Sequence, residues 1–380
     1  MKFLLLIFSL IFCFQVLCQD RILIENVRVF DGSQTRENIF IVVEGGQIRY
    51  LDKKKPKRFV ADTIINGLDK TILPGLINCH MHVWDKSQLK QAFRAGVFAL
   101  LDMNSPQNYT KALKSEKLQD GYALFYSSGY AATVEGGHGT QYGYEVPTIG
   151  KDLIPQDFVA QRKKDGSDYI KILYEPARPT LTLDQVNELV TSAHKEGLLA
   201  VAHISNLQDA IKLDSIGVDA FVHVWDNQIA DNATIESLAK SGVFVVPTLT
   251  LQGRVKSYYN RVGIENNMLD FPDIKENVRR LYEAQVPILA GTDSPNLGIN
   301  YSSSIYEELE HLVDAGLSPE EALKSATSTP ATQFKLEGLG FIAEGKPANF
   351  IIVDGNPTDK IKDIAKLESV WIDGKLTHKL

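Results

Sequence analysis

Cysteine is scarce in this chain of 380 residues. There are three, and Cys13 and Cys18 both fall in an apolar N-terminal run, which leaves Cys79 alone in the body of the sequence. An internal disulfide is thereby excluded once that run is removed, so the fold must rest on a self-sufficient core. Long basic runs are also missing, and the formal net charge is −7. That excludes the electrostatic footprint of a nucleic-acid binder. Neither low-complexity tracts nor short internal repeats occur, which excludes solenoid architectures. What is there is an ordinary globular composition, 44% hydrophobic and 23% charged. It is long enough for one large barrel-type domain and a small accessory domain.

The first 18 residues, "MKFLLLIFSLIFCFQVLC", carry one lysine and then an almost unbroken apolar run. This is the shape of a secretory signal peptide, with a cut between Cys18 and Gln19. The expectation is an exported protein, periplasmic or secreted, that is free of the membrane after cleavage. An uncleaved anchor is the alternative. Leu17 is bulky for lipid attachment at Cys18.

Residues 19–73 alternate Val, Ile and Tyr with polar residues and break at Gly, Asp and Asn, as in "ILIENVRVFDG" and "IFIVVEGGQIRYLD". They read as antiparallel strands with tight turns. From residue 74 to 338 the rhythm changes. Eight short apolar runs, from "LINCHMH" to "PILAGTDS", alternate with segments of helical period, several of which end in Gly. That pattern predicts a parallel (β/α)₈ TIM barrel, an α/β fold. "SPEEALKSATSTPATQF" adds one further helix, and residues 339–380 return to strands. The two terminal segments are expected to combine into a small β-sandwich domain.

The chemistry-bearing residues fall at the C-terminal ends of the predicted barrel strands, where active sites of this fold sit. Strand one ends in His80 and His82, which alternate onto one face. Strand four carries Lys171, strand five His203, strand six His223 and strand eight Asp293. Each has an ordinary structural explanation when taken singly, as a satisfied core histidine or a turn-capping aspartate. Lys171 is harder to explain, because Ile170, Ile172 and Leu173 surround it and burying an unpaired ammonium is costly. Jointly, imidazoles and a carboxylate suit zinc and similar divalent ions. Carbon dioxide would turn Lys171 into a carbamate able to bridge two metals. Two ions sharing a hydroxide would then lower the pKa of water from 15.7 to about 7.

The pieces "PGLINCHMH", "YIKI", "VAHIS", "FVHVW" and "GTDSP", with "VFDG" near the start and "GLGFIAEGKPANFIIVDGNP" near the end, resemble the amidohydrolase superfamily. The likeness is to its imidazolonepropionase-like and prolidase-like members, and it covers nearly the whole chain after the signal. The resemblance implies two divalent ions, zinc being the expected metal. His80, His82 and Asp293 would hold one, His203 and His223 the other, and Lys171, as N6-carboxylysine, would lie between. It also implies that Asp293 is the general base. Three departures stand out. Asn78 replaces a common Asp, Val224-Trp225-Asp226 replaces a common Gly after the strand-six histidine, and Asn206 stands where deaminases of the family often carry Glu. The last argues against deamination.

The segment "YSSGYAATVEGGHGTQYGYEVP" is long for a loop, as lids and binding loops are. Its "GGHG" resembles a prolidase-like motif, so His138 is expected to bind substrate or stabilise the transition state. Tyr126, Tyr142 and Tyr144 are weaker candidates for substrate contact. Arg178 and Arg254 could clamp a substrate carboxylate, and Trp225 could wall the pocket or simply pack. Cys79 faces away from its histidine neighbours. His194, His311 and His378 are assigned no chemistry. The function expected is a metal-dependent hydrolase of an amide or peptide bond in a small substrate, such as a dipeptide or N-acyl amino acid. The alternatives are a cyclic amide or lactone hydrolase on the same site, a one-metal enzyme, and a metal-holding binding protein without turnover. A homo-oligomer is compatible with the sequence.

Overall fold

The computed structural model describes residues 21–380; the expected signal lies outside the described residues. Five strands come first: β1 (Arg21–Phe30), β2 (Thr35–Glu44), β3 (Gln47–Asp52), β4 (Thr63–Asn66) and β5 (Lys70–Leu73). Seven follow within the α/β region: β6 (Leu76–Met81), β7 (Val97–Asp102), β8 (Leu124–Ser127), β9 (Ile170–Leu173), β10 (Ala200–His203), β11 (Ala220–Val222) and β12 (Phe244–Val246). Three close the chain: β13 (Phe350–Asp354), β14 (Leu367–Ile372) and β15 (Lys375–Lys379).

The terminal segments meet as expected. Their strands share hydrogen bonds in one eight-stranded sheet, in the order β15-β14-β13-β5-β1-β2-β3, with β4 beside β1. It is a single hydrogen-bonded sheet, where two facing sheets had been expected. Residues two apart, such as Ile22 and Ile24, Ile39 and Ile41, and Phe350 and Ile352, pack into a core of their own. That spacing is the period-2 burial of a strand with one apolar face.

In the α/β region all pairings are parallel, in the orders β6-β7-β8 and β9-β10-β11-β12. β6, β7 and β9 are buried along their whole length, as parallel strands covered on both faces must be. Two irregular segments join the halves. Ala132 bridges to Ile172, its N–H donating to Lys171 O. The eighth expected strand, residues 287–294, forms only isolated bridges, yet it hydrogen-bonds to both neighbours. Leu289 N donates to Val245 O, Cys79 N to Ala290 O, and Asp293 N to His80 O. A regular ladder cannot continue there because Asp293 has φ +59°, outside the β region. Gly291 is required at this seam, since an added Cβ would lie 2.9 Å from His80 N and 2.4 Å from Val246 Cγ1.

The expected helices form. Asp85 caps the helix Lys86–Arg94 in a capping box with Gln88, and Thr182 does the same with Gln185 for Leu183–Lys195. Gly217 and Gly242 end two others in the left-handed conformation, as C-terminal stops do. One expectation is corrected. The helix expected over "SPEEALKSATSTPATQF" is two, Pro319–Ser325 and Ser328–Gln333, broken at Thr327. Pro330 has no N–H to donate and its ring crowds the carbonyl four residues back, so a continuous helix is blocked.

Candidate metal centre

Parallel pairing brings the strand ends to one mouth, and the expected residues meet there. His80, His82, Lys171, His203, His223 and Asp293 all line one cavity of about 310 Å³. Asp293 Oδ1 lies 3.0 Å from His82 Nε2 and 3.4 Å from His80 Nε2. The ring centroid of His223 is 4.8 Å from that of His80 and 4.8 Å from that of His203. Potential ligand atoms of His80, His82 and Asp293 lie within 4.8 Å of one another.

The donor set fits divalent metal. Lys171 Nζ and His80 Nδ1 are buried with no hydrogen-bond partner, and buried polar atoms in folded proteins are seldom left so. Burial holds Lys171 down at about 7, with Asp293 opposing the shift. A lysine of that kind is about half free amine near neutrality, far more than an ordinary lysine, and the free amine is the form that can capture carbon dioxide. Burial, and then the positive charge of Lys171, holds His80 well below its usual value. His223 is also held well below, by burial and then by His203. Burial pushes His82 down as well, but Asp293 more than offsets it, so that His82 is raised. Neutral imidazoles are the form that ligates metal.

Neighbouring groups orient the imidazoles. The Thr248 hydroxyl donates to Pro247 O at 2.8 Å, so it can only accept from His223 Nδ1, 2.7 Å away. That fixes the tautomer and leaves Nε2 bare. Thr248 is itself held by its setting. The buried carboxylate of Glu308 accepts from Leu249 N, Thr250 N and Thr250 Oγ1 at 2.7–2.9 Å. It thereby caps the helix Leu249–Val262 that Thr248 begins. On the other side, His203 Nε2 lies 3.6 Å from Glu175 Oε2, which also accepts from Ser205 Oγ. Burial raises the Glu175 carboxyl, but His203 and Ser205 outweigh that and hold it at about 2. Asn78 ties β6 to the seam: its Nδ2 donates to Thr292 Oγ1 while its Oδ1 accepts from Thr292 N. An aspartate could not donate in this way. Four non-glycine residues at the mouth have positive φ, His223 (+79°), Thr248 (+51°), Asp293 (+59°) and Leu297 (+48°). Such strain costs roughly 1–3 kcal/mol each and collects at functional sites.

The loop residues divide. His138 lines the cavity and stacks on His203, with centroids 4.6 Å apart and planes at 19°. Burial and the charge of His203 hold it down at about 3, and it is neutral. Its backbone is fixed by Thr133 Oγ1 donating to His138 O. Gly139, at φ +93°, has no room for a Cβ, which would sit 2.6 Å from Leu173. Tyr142 lines the cavity, whereas Tyr144 does not and accepts from Asn104 Nδ2, which does. Tyr126, Arg178, Arg254 and Trp225 do not line it. Trp225 is wholly buried and packs in the core. Arg254 makes a two-pronged pair with Glu307 outside the cavity, and Arg178 is exposed beyond β9. Cys79 is buried in the barrel wall and burial pushes its thiol up, so it is no nucleophile. Sequence reasoning did not pick out Glu175, Thr248 or Glu308. For Glu175 alone there was a local signal, an acid just past the strand that bears Lys171.

The sequence profile of the amidohydrolase family matches residues 71–377. An imidazolonepropionase from Streptomyces avermitilis is 24% identical over 361 residues, 83% of this chain and 80% of that protein. An ochratoxinase from Aspergillus niger is 21% identical over 413 residues, 91% of this chain and 84% of the relative. Among solved structures, a Xaa-Pro dipeptidase with methionine bound in its active site is similar with a TM-score of 0.78. The identity is 23%, over 95% of this chain and 100% of that one. That likeness supports the expected combination of a TIM-barrel-like domain and a sheet domain.

Proposed function

The chain belongs to the amidohydrolase family, hydrolases of carbon–nitrogen bonds, and from that membership we propose that it cleaves an amide or peptide bond in a small substrate of dipeptide or N-acyl amino acid size. One observation carries the reading: six groups from both halves of the barrel region line a single cavity. In this reading His80, His82 and Asp293 would hold one divalent ion, zinc by preference, and His203 and His223 a second, and Lys171 would serve both once carboxylated on Nζ. Bound divalent ions supply Lewis acidity at the scissile carbonyl and make water a better nucleophile at neutral pH. The chain's own residues do the rest. Asn296 Nδ2 donates to Asp293 Oδ1 at 2.9 Å, which leaves Oδ2 to take the proton of the attacking water and return it to the leaving nitrogen. His138, neutral and stacked on His203, donates a ring N–H to the oxygen on which charge develops.

The relatives named support carbon–nitrogen chemistry on this fold, and the dipeptidase and ochratoxinase likenesses favour an acyclic amide. The absence of Glu at Asn206 favours hydrolysis over deamination. Residues 1–18 would direct the protein out of the cytoplasm, and no described helix is long and apolar enough to cross a membrane. The test is a panel of dipeptides and N-acyl amino acids incubated with zinc and bicarbonate, with and without a chelator. Chelator-sensitive release of free amino acids is expected, and no release from any member of the panel would overturn the reading.

A further inference from the structure

Beyond the six candidate ligands, no charged side chain lines the cavity among the described residues. The wall there is apolar. Leu251 and Val255, four apart on the helix Leu249–Val262, turn one face inward, as that spacing requires. Met103, Leu173 and Leu297 complete it. Of the polar groups between them, His138 and Tyr142 stay available, while Asn104 and Asn296 are engaged. Asn104 donates to Tyr144 and accepts from Ala131 N, and Asn296 donates to Asp293. Leu297 and Tyr142 keep 48% and 47% of their surface exposed at the opening, so apolar surface waits in a concavity for something to cover it. A charged side chain seated against Leu251, Val255 and Leu297 would lose its water and meet no opposite charge among the lining residues beyond the ligand cluster. We infer that the group the site seats beside the ligand cluster is an uncharged, apolar side chain of leucine, methionine or phenylalanine type. Aspartate- and lysine-type groups are excluded. The inference rests on the hydrolase reading and narrows its substrate class. The cavity, at about 310 Å³, lies at the small end of ligand pockets, so it takes one such group and little more.

The test uses four uncharged-backbone probes, the N-acetyl amides of leucine, phenylalanine, aspartate and lysine. Binding is followed by calorimetry and turnover by product release, on the zinc-loaded full chain and on Val255→Asp. The wild type should bind and cleave the leucine and phenylalanine probes at least about 10-fold better than the charged pair. Val255→Asp should lose about 10- to 100-fold on the leucine probe and gain on the lysine probe, an improvement that misfolding cannot produce. Equal binding of charged and apolar probes, or an unchanged ranking in Val255→Asp, would overturn the inference. Apolar selectivity in binding without turnover would overturn the hydrolase reading and leave this inference standing. Turnover without selectivity would do the reverse.

Discussion

At the scale of single residues, the centre depends on groups that make poor structural sense alone. Lys171 is nearly fully buried with no partner for its amine, in a strand whose other members are apolar. Replacing it by methionine should stabilise the metal-free protein by about 1–3 kcal/mol, because an unpaired buried polar group is removed. The same change should abolish the carbamate signal that labelled bicarbonate gives in carbon NMR. A metal-free protein destabilised by Lys171→Met in chemical denaturation would show that the amine has a structural partner after all. Asp293 is the second such residue, a non-glycine at φ +59°. Asp293→Asn keeps its volume and should lower kcat about 10²–10⁴-fold, measured at matched metal content. The six candidate ligands were legible in the sequence because each lies in or just past a short apolar run, and because the pieces that carry them resemble the amidohydrolase superfamily. Arg178, Arg254, Tyr126 and Trp225 were not. Whether Arg178 and Trp225, past strand ends, turn into the mouth depends on loop paths that carry no periodic signal. Tyr126 lies within β8 and Arg254 on the helix Leu249–Val262, both on faces turned away from the cavity lining.

At the scale of elements, the helix Leu249–Val262 is the least expected part and bears most directly on the site. Its first residues read as the tail of a strand, "VFVVPTLT", and Thr248 bends the chain at φ +51° to begin the helix. The acid that caps it, Glu308, lies 58–59 residues further along, a pairing that local sequence cannot show. Burial pushes this carboxyl up from 4.5 to about 7. Between those values the unfolded chain binds fewer protons than the folded one, so stability falls as pH rises. The contribution is full below pH 4.5 and lost by about pH 7, roughly 3 kcal/mol in all. Glu308→Gln should flatten that slope in denaturation curves taken across the window. Glu308→Ala should leave the Leu249 and Thr250 N–H groups unpaired, costing about 1–3 kcal/mol each. Because Thr248 orients His223, zinc affinity should fall with it. Unchanged affinity in Glu308→Ala would separate the cap from the metal site. The strands, by contrast, were readable in position, since fully buried parallel strands are unbroken apolar runs, but not in extent: the run "VFVVPTLT" holds only Phe244–Val246 as strand. The seam at 287–294 read as a strand by composition but is an irregular one, because Asp293 takes a conformation that composition does not encode.

At the scale of the whole molecule, the barrel region gathers its ligands from segments more than 200 residues apart, so metal binding and folding are coupled. An ion that binds only the folded chain stabilises it by about 2.7 kcal/mol at 100 times its Kd. Zinc should therefore raise the Tm in a dose-dependent way, and a chelator should lower it. His82→Ala should blunt that response while leaving the metal-free Tm close to the wild type, since His82 is only partly buried. The most direct single measurement is anomalous X-ray scattering at the zinc edge from crystals grown with zinc and bicarbonate. Two peaks should lie in the cavity, one beside His80, His82 and Asp293, the other beside His203 and His223, with continuous density from Lys171 Nζ between them. A cavity without anomalous signal, or zinc bound only elsewhere on the chain, would contradict the metal centre and the chemistry built on it.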